Sequence, residues 1–84
     1  MIPIQDLLHR IRWDAEFGRA EFRIGYYDRI ERRVVLAPLA ELAFPPDQPN
    51  AFEWVDHLGE LHTIPLHRIK EVYRNGELIW QRTH

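Results

Sequence analysis

The 84-residue chain contains no cysteine and no serine. Without cysteine it has no disulfide scaffold, no cysteine-ligated zinc or iron–sulfur site, and no thiol nucleophile. Without serine it cannot form a Ser-His-Asp triad. Lysine is also scarce, because Lys70 is the only lysine among the eleven Lys and Arg residues. The composition therefore excludes several common enzyme classes and makes arginine the main source of positive charge.

Long apolar runs are missing too. The longest run covers residues 34–40 and contains a proline, so no segment resembles a membrane span. The first residues lack the basic and then apolar pattern of a signal peptide. We therefore expect a cytoplasmic protein with no membrane partner. The chain, with 45% hydrophobic residues, is long enough for one domain, residues 1–84, and too short for two.

Charge is distributed unevenly along the chain. The net charge is −2, but residues 38–63 contain five acidic residues and no Lys or Arg. Residues 64–84 contain four cationic residues against two acidic ones. A polyanionic partner would therefore meet the two terminal parts of the chain rather than its middle.

The apolar spacing near the N-terminus predicts one amphipathic helix. Apolar residues at positions i, i+3, i+4 and i+7 form a single stripe at Ile4, Leu7, Leu8 and Ile11. The helix is expected to end near Trp13. Because large aromatic residues usually supply the packing of a small domain, Trp13 and Trp80 are predicted to lie in the core.

The rest of the chain predicts short strands joined by turns, with a proline-rich surface loop at 45–50. The clearest element is a C-terminal β-hairpin, in which Asn75-Gly76 forms a type I′ turn. That turn pairs residue 74 with 77, 73 with 78, 72 with 79 and 71 with 80. The pattern predicts an α+β fold with one N-terminal helix packed on a curved antiparallel sheet of about five or six strands.

Three histidines, His57, His62 and His67, recur at five-residue spacing. This spacing places neighbours on opposite faces of a strand, so we expect separate polar histidines, no metal site and no cofactor. His62 and His67 are the one plausible acid–base pair for phosphodiester chemistry. The paired His-x-Thr/Ser motifs of two-histidine phosphoesterases are absent, and no catalytic residue is assigned.

Two polar segments have the chemistry to bind an anion. In the first, a tyrosine of the pair 26–27 can stack on a base while Asp28 holds Arg29 against phosphate. The alternative is that one tyrosine is core and Asp28 caps the turn. In the second, His67 can donate a hydrogen bond and Arg68 can bind two phosphate oxygens. The alternative is that His67 caps a turn while Arg68 lies over the sheet.

Four sequence blocks, within residues 4–14, 24–29, 64–69 and 74–80, occur in this order. The series resembles the RNA cyclic group end recognition domain, a family of small archaeal and bacterial proteins, from residue 4 to about residue 82. The resemblance implies recognition of processed RNA ends, such as those with a 2′,3′-cyclic phosphate, and an association with RNA-processing enzymes. The RNA- or phosphate-binding residues that it carries over are Tyr26, Asp28, Arg29, His67, Arg68 and Arg74. It gives segment 38–63 no role.

Two other function classes remain open on the sequence. One is an RNA-end phosphodiesterase or ribonuclease, and the other is a protein-interaction module that binds no nucleic acid. The second class is considered because a small sheet domain leaves strand edges open. We expect a binding module rather than a hydrolase, present as a monomer or weak homo-oligomer. The RNA-end interpretation requires that Arg29 and the His67-Arg68 pair, which are far apart along the chain, meet in the fold.

Overall fold

The computed structural model describes residues 2–82 and confirms the α+β architecture. It begins with one α-helix, α1 (Ile4–Trp13), which confirms the helix predicted near the N-terminus. Six strands follow: β1 (Phe22–Asp28), β2 (Arg33–Pro38), β3 (Ala51–Val55), β4 (Leu61–Pro65), β5 (Ile69–Arg74) and β6 (Glu77–Gln81). Short 3₁₀ turns cover Phe17–Arg19, Leu39–Glu41 and Leu66–Arg68. Among residues 2–82, no helix has the length and apolar character needed to cross a membrane.

The strands form two antiparallel sheets rather than the single sheet predicted. One has four strands in the order β2-β1-β5-β6, and the other is the β3–β4 hairpin. The hairpin does not extend an edge of the larger sheet, because its aromatic side chains Phe52 and Trp54 pack towards the core. Trp54 Nε1 donates a hydrogen bond of 2.9 Å to the Tyr26 hydroxyl on β1. Burial of these rings therefore places the hairpin across one face of the four-stranded sheet.

We term this covered side the inner face of the four-stranded sheet. Helix α1 and the β3–β4 hairpin lie on it, and the core between them is formed by Ile4, Leu7, Phe22, Ile24, Tyr26, Ala37, Phe52, Ile64, Leu66, Ile69, Val72 and Trp80. The prediction for Trp80 is confirmed, but that for Trp13 is wrong, since 67% of Trp13 is exposed. Trp13 follows Ile4 by nine residues, which is two and a half helical turns, and therefore points away from the apolar stripe.

The C-terminal hairpin has the predicted turn and only part of the predicted register. Both residues of Asn75-Gly76 have positive φ, 51° and 83°, as a type I′ turn requires. The two pairs next to the turn are confirmed. Further along, a β-bulge shifts the register, so that Val72 pairs with Trp80 instead of Ile79. The shift turns the larger Trp80 side chain into the core beside Val72.

Candidate functional site

The register of β1 against β5 places the two polar segments at the same end of the four-stranded sheet. Tyr26 pairs with Ile69, so Arg29, just beyond the end of β1, and Arg68, just before β5, lie at the same end of the sheet. Strand β2 also begins at this end, and β6 finishes there. Six of the eleven cationic residues lie at or next to it: Arg29, Arg32, Arg33, Arg68, Lys70 and Arg82. We term it the basic end.

Arg74 lies at the opposite end of the sheet, where the C-terminal hairpin turns and β1 begins. It pairs with Phe22, and its guanidinium carbon is 5.2 Å from the centre of the Phe17 ring. Its Nε is buried and has no hydrogen-bond partner among residues 2–82. Arg74 is therefore not brought together with the other predicted site residues, and its contacts are with the protein itself.

The two adjacent tyrosines of β1 have different surroundings. Tyr26 is 2% exposed, and burial raises the pKa of its phenol. Its hydroxyl accepts the hydrogen bond from Trp54, so the whole side chain belongs to the core. Tyr27 points to the opposite face of the sheet and is 38% exposed. Of the pair, Tyr27 is thus the one whose ring is accessible for stacking.

Asp28 shapes the turn between β1 and β2. Its Oδ1 accepts hydrogen bonds from the backbone N–H groups of Ile30, at 2.8 Å, and Glu31, at 3.0 Å. These bonds, first of all the one from Glu31, hold the pKa of the Asp28 carboxyl below its usual value. Arg29 follows directly and is exposed. Asp28 therefore acts as the turn cap that the sequence offered as an alternative, and Arg29 is displayed on that turn.

A cleft of about 510 Å³ opens between the start of α1 and the Leu66–Arg68 turn. Its walls are formed by Ile2, Pro3, Ile4, Gln5, Asn50, Leu66, His67, Trp80 and Arg82. Four of these residues bring polar side chains, and two of them are bonded to each other, since Gln5 Nε2 donates to Asn50 Oδ1 at 3.1 Å. The cleft thus combines an apolar floor with polar groups from four separate parts of the chain.

Arg82 is held in this cleft by two contacts. Its Nε donates a 3.1 Å hydrogen bond to the backbone carbonyl of Ile69, and its guanidinium carbon lies 5.2 Å from the Trp80 ring centre. The start of α1 lines the same cleft, and its N-cap residue Pro3 supplies no side-chain cap. The first N–H groups of a helix favour a negative charge nearby, although here the N–H of Asp6 donates to the Pro3 carbonyl at 3.1 Å and Asp6 adds its own carboxylate to this turn. With His67 opposite, the arrangement is suited to an anion of phosphate size.

A separate polar cluster closes the β3–β4 turn. His62 Nε2 donates to Asp56 Oδ2 at 2.7 Å, and this bond is the main cause that lowers the pKa of Asp56. Asp56 Oδ1 accepts two backbone N–H groups of the same turn, and the His62 ring stacks on Trp54. Glu60 brings a carboxylate within 4.8 Å of this pair, as a metal ligand set would. The hydrogen bonds within the turn are sufficient to explain why these side chains lie together.

Residues 1–82 match the family model of the MJ1316 RNA cyclic group end recognition domain. The chain belongs to this family. The match extends over nearly the full chain, as the order of the four sequence blocks indicated. No solved structure matches the chain.

In this member of the RNA cyclic group end recognition family, the cleft contains polar residues that the sequence did not identify. Arg82 follows the last sequence block, and no spacing links it to His67. Asn50 lies in the segment that was given no role, yet its carbonyl accepts the N–H of Leu66 at 2.8 Å. Gln5 lies on the polar side of α1 and is exposed at the edge of the cleft. Only the fold brings these three residues to one place.

Proposed function

We propose that this protein recognises processed RNA ends that carry a 2′,3′-cyclic phosphate, and that the terminal phosphate binds in the cleft at the basic end. The observation that carries the proposal is the position of His67 and Arg82 beside the start of α1 in one cleft. The family name states recognition of RNA cyclic ends, which supports the same ligand.

The chemistry of the ligand fits this set of donors. A 2′,3′-cyclic phosphate carries one negative charge on a compact ring next to the terminal base. Arg82 offers planar N–H groups for two oxygens, and His67 offers a directional hydrogen bond. The first N–H groups of α1 add a fixed partial positive charge. These donors suit any phosphate-like anion, and the expected preference for the cyclic end over a doubly charged 3′-phosphate rests on the family name.

Arg29 and Arg68 do not line the cleft that contains His67, so the expected meeting of Arg29 with the His67-Arg68 pair in one pocket is not found. We assign these two arginines a different role, outside the cleft. Arg29 is exposed on the β1–β2 turn, and Arg68 is half-buried in the turn before β5. From these positions they attract RNA and contact phosphates of its backbone, an interaction that salt screens. Next to the β1–β2 turn, Arg33 lies 3.3 Å from Glu31, so part of the charge at this end is neutralised within the protein.

The proposal is tested by measuring the affinity for one short RNA with three different ends. We expect tighter binding to the 2′,3′-cyclic phosphate than to the 3′-phosphate or the 3′-hydroxyl. His67→Ala and Arg82→Ala should each reduce the affinity for the cyclic end by about tenfold or more, since each removes a hydrogen bond to a charged group. Arg19→Ala, which removes an exposed cation away from the basic end, is the control. Equal affinity for the three ends would contradict the proposal.

We propose that the protein binds the RNA end without cleaving it. A hydrolase needs a second acid–base group beside His67. His62, the partner that the sequence offers, does not line the cleft and lies in the β3–β4 hairpin, where it is hydrogen-bonded to Asp56. Chromatography of the same RNA after incubation with the protein detects any opening of the cyclic phosphate, and we expect none. We further propose that the protein acts in the cytoplasm beside RNA-processing enzymes, as a monomer or weak homo-oligomer.

A further inference from the structure

The four-stranded sheet has a second side, the outer face, opposite the core. Because Ile24 and Tyr26 point inwards from β1, the alternate residues Arg23, Gly25 and Tyr27 point outwards. Tyr73 on β5 lies directly across from Arg23 and shares this face. The large side chains exposed there include Tyr27, Val34, Leu36 and Leu78, each with more than a third of its surface accessible.

At the centre of the outer face, neighbouring side chains fill the space above Gly25. A Cβ atom placed on Gly25 would lie 2.8 Å from Val34 Cγ1 and 2.9 Å from Glu71 Oε1. Side chains of both neighbouring strands therefore close over Gly25, which leaves a shallow surface between Tyr27 and Tyr73. Glu71 is the acidic residue in this central part of the face, and its carboxylate oxygen is folded against Gly25 rather than extended towards solvent.

We infer that the outer face binds the single-stranded RNA that precedes the recognised end, with one base stacked on Tyr27 and another on Tyr73. The inference rests on the proposed function for its ligand. Both tyrosines lie on the two central strands of a four-stranded antiparallel sheet. Sheets with this layout bind single-stranded RNA by stacking bases on exposed aromatic side chains.

The spacing of the two tyrosines sets a minimum length for the RNA. Tyr73 lies across from Arg23, and Tyr27 is four residues further along β1. At about 3.3 Å per residue, the rings are separated by about 13 Å along the strand. One base cannot contact both, so the full surface requires at least two nucleotides. Tyr27 is the ring nearer to the basic end and thus serves the nucleotide closer to the terminal phosphate.

Charge favours RNA over a second protein chain as the occupant of this face. Arg23, the second residue of β1, is exposed on the outer face, but its Nε lies 3.7 Å from a carboxylate oxygen of Glu21. The positive charge next to this face therefore comes mainly from the six cations of the basic end. Tyrosine offers a ring that stacks on bases of every kind. The aliphatic residues Val34, Leu36 and Leu78 lie at the flanks, on the outer strands β2 and β6.

The test compares a mononucleotide with longer RNA of the same end chemistry. The probes are uridine 2′,3′-cyclic monophosphate and oligouridylates of two, four and six nucleotides with the same cyclic end. For the unmodified protein we expect the affinity to increase with length. Tyr27→Ala and Tyr73→Ala should each weaken hexamer binding by about tenfold and leave mononucleotide binding unchanged. Tyr27→Phe and Tyr73→Phe keep the ring and should retain most of the hexamer affinity.

The outcomes separate this inference from the proposed function. Selective mononucleotide binding with no gain from length would overturn the inference and leave the proposed function intact. A gain with length that the tyrosine variants lose, with no preference among end chemistries, would support the inference and overturn end recognition. If the Ala variants instead dissociate a dimer in light scattering and leave RNA affinity unchanged, the face is a protein interface and the inference is wrong. Thermal melts of all variants verify that they fold.

Discussion

The two ends of the four-stranded sheet use arginine in different ways. At the hairpin end, the Arg74 guanidinium lies over the Phe17 ring, with its Nε buried. At the basic end, Arg29 is exposed, and Arg82 is anchored through its Nε beside an open cleft. The neighbours of an arginine, rather than its place in a sequence block, therefore decide whether it packs within the protein or remains accessible to a ligand. Changes at the hairpin end should therefore alter stability, and changes at the basic end should alter RNA affinity.

The largest effect is expected at Gly18, in the connection between α1 and the hairpin end. A Cβ atom there would lie 2.3 Å from the backbone oxygen of Ile11, so the helix and the Phe17–Arg19 turn would have to move apart. We expect Gly18→Ala to lower the free energy of unfolding by about 3 kcal/mol in urea titrations. Gly59→Ala, where φ is +83° but no atom lies within 4 Å, should cost about 1–2 kcal/mol. An equal loss of unfolding free energy in both variants would show that the close approach of Gly18 to Ile11 does not affect stability.

A smaller loss of stability is expected at Arg74. Arg74→Ala removes the packing over Phe17 and should reduce the free energy of unfolding by about 1 kcal/mol. Arg74→Met keeps the aliphatic stem and removes the buried Nε, so its stability should be close to that of the unmodified protein. Neither variant should change the affinity for cyclic-ended RNA. If both variants lost RNA affinity about tenfold, Arg74 would belong to the binding surface, and the distinction between the two ends would be wrong.

At the basic end, we expect the reverse behaviour from Arg29 and Arg68. The double variant Arg29→Ala, Arg68→Ala should bind cyclic-ended RNA several-fold more weakly at low salt, with unchanged thermal stability. The slope of log affinity against log salt should decrease by about 0.7 for each RNA phosphate that the variant no longer neutralises. The charge-matched control is Arg12→Ala, Arg19→Ala, which removes two exposed cations elsewhere. If control and test variants behave alike, only the total charge of the protein matters.

The smallest effect concerns acid stability. The pKa values of Asp28 and Asp56 are held below the ordinary value near 4 by hydrogen bonds to turn N–H groups and, for Asp56, chiefly to His62. Their contribution to stability is present above the pKa of the unfolded chain and is lost as the pH falls through the lower folded values. Asp28→Asn and Asp56→Asn should each flatten the decline in stability between about pH 5 and pH 2. If the decline in stability at low pH is unchanged in both variants, these turns are not its source.

Local features of the fold were predictable from the sequence, and their assembly was not. The helix follows from the spacing of Ile4, Leu7, Leu8 and Ile11, and the hairpin turn from Asn75-Gly76, because both signals lie within a few residues of chain. The bulge in the C-terminal hairpin depends instead on the burial of Trp80, which is a property of the whole core. For the same reason, the sequence did not predict that the β3–β4 hairpin crosses the inner face.

The sequence likewise predicted only part of the candidate site. His67, Arg68 and Arg29 lie within the conspicuous blocks, and the β1–β5 register places them at one end of the sheet. Arg82 and Asn50 were missed because only tertiary contacts bring them to the cleft. For Tyr26 and Asp28, the sequence left both a ligand-binding role and a structural role open. In both cases the local, structural alternative is the one that the contacts support.

The hydrogen bond from Trp80 Nε1 to the carbonyl of Ile2, 2.7 Å long, joins the first described residues to the last strand. Ile2 and Arg82 both lie at the rim of the same cleft. Any polypeptide fused to either side of the domain, including an affinity tag, would therefore emerge beside this cleft. A fluorophore for binding studies is better attached at the exposed residues 46–48 of the proline-rich loop, which do not line the cleft. A short linker between the neighbouring extremities is the natural starting point for a circular permutant.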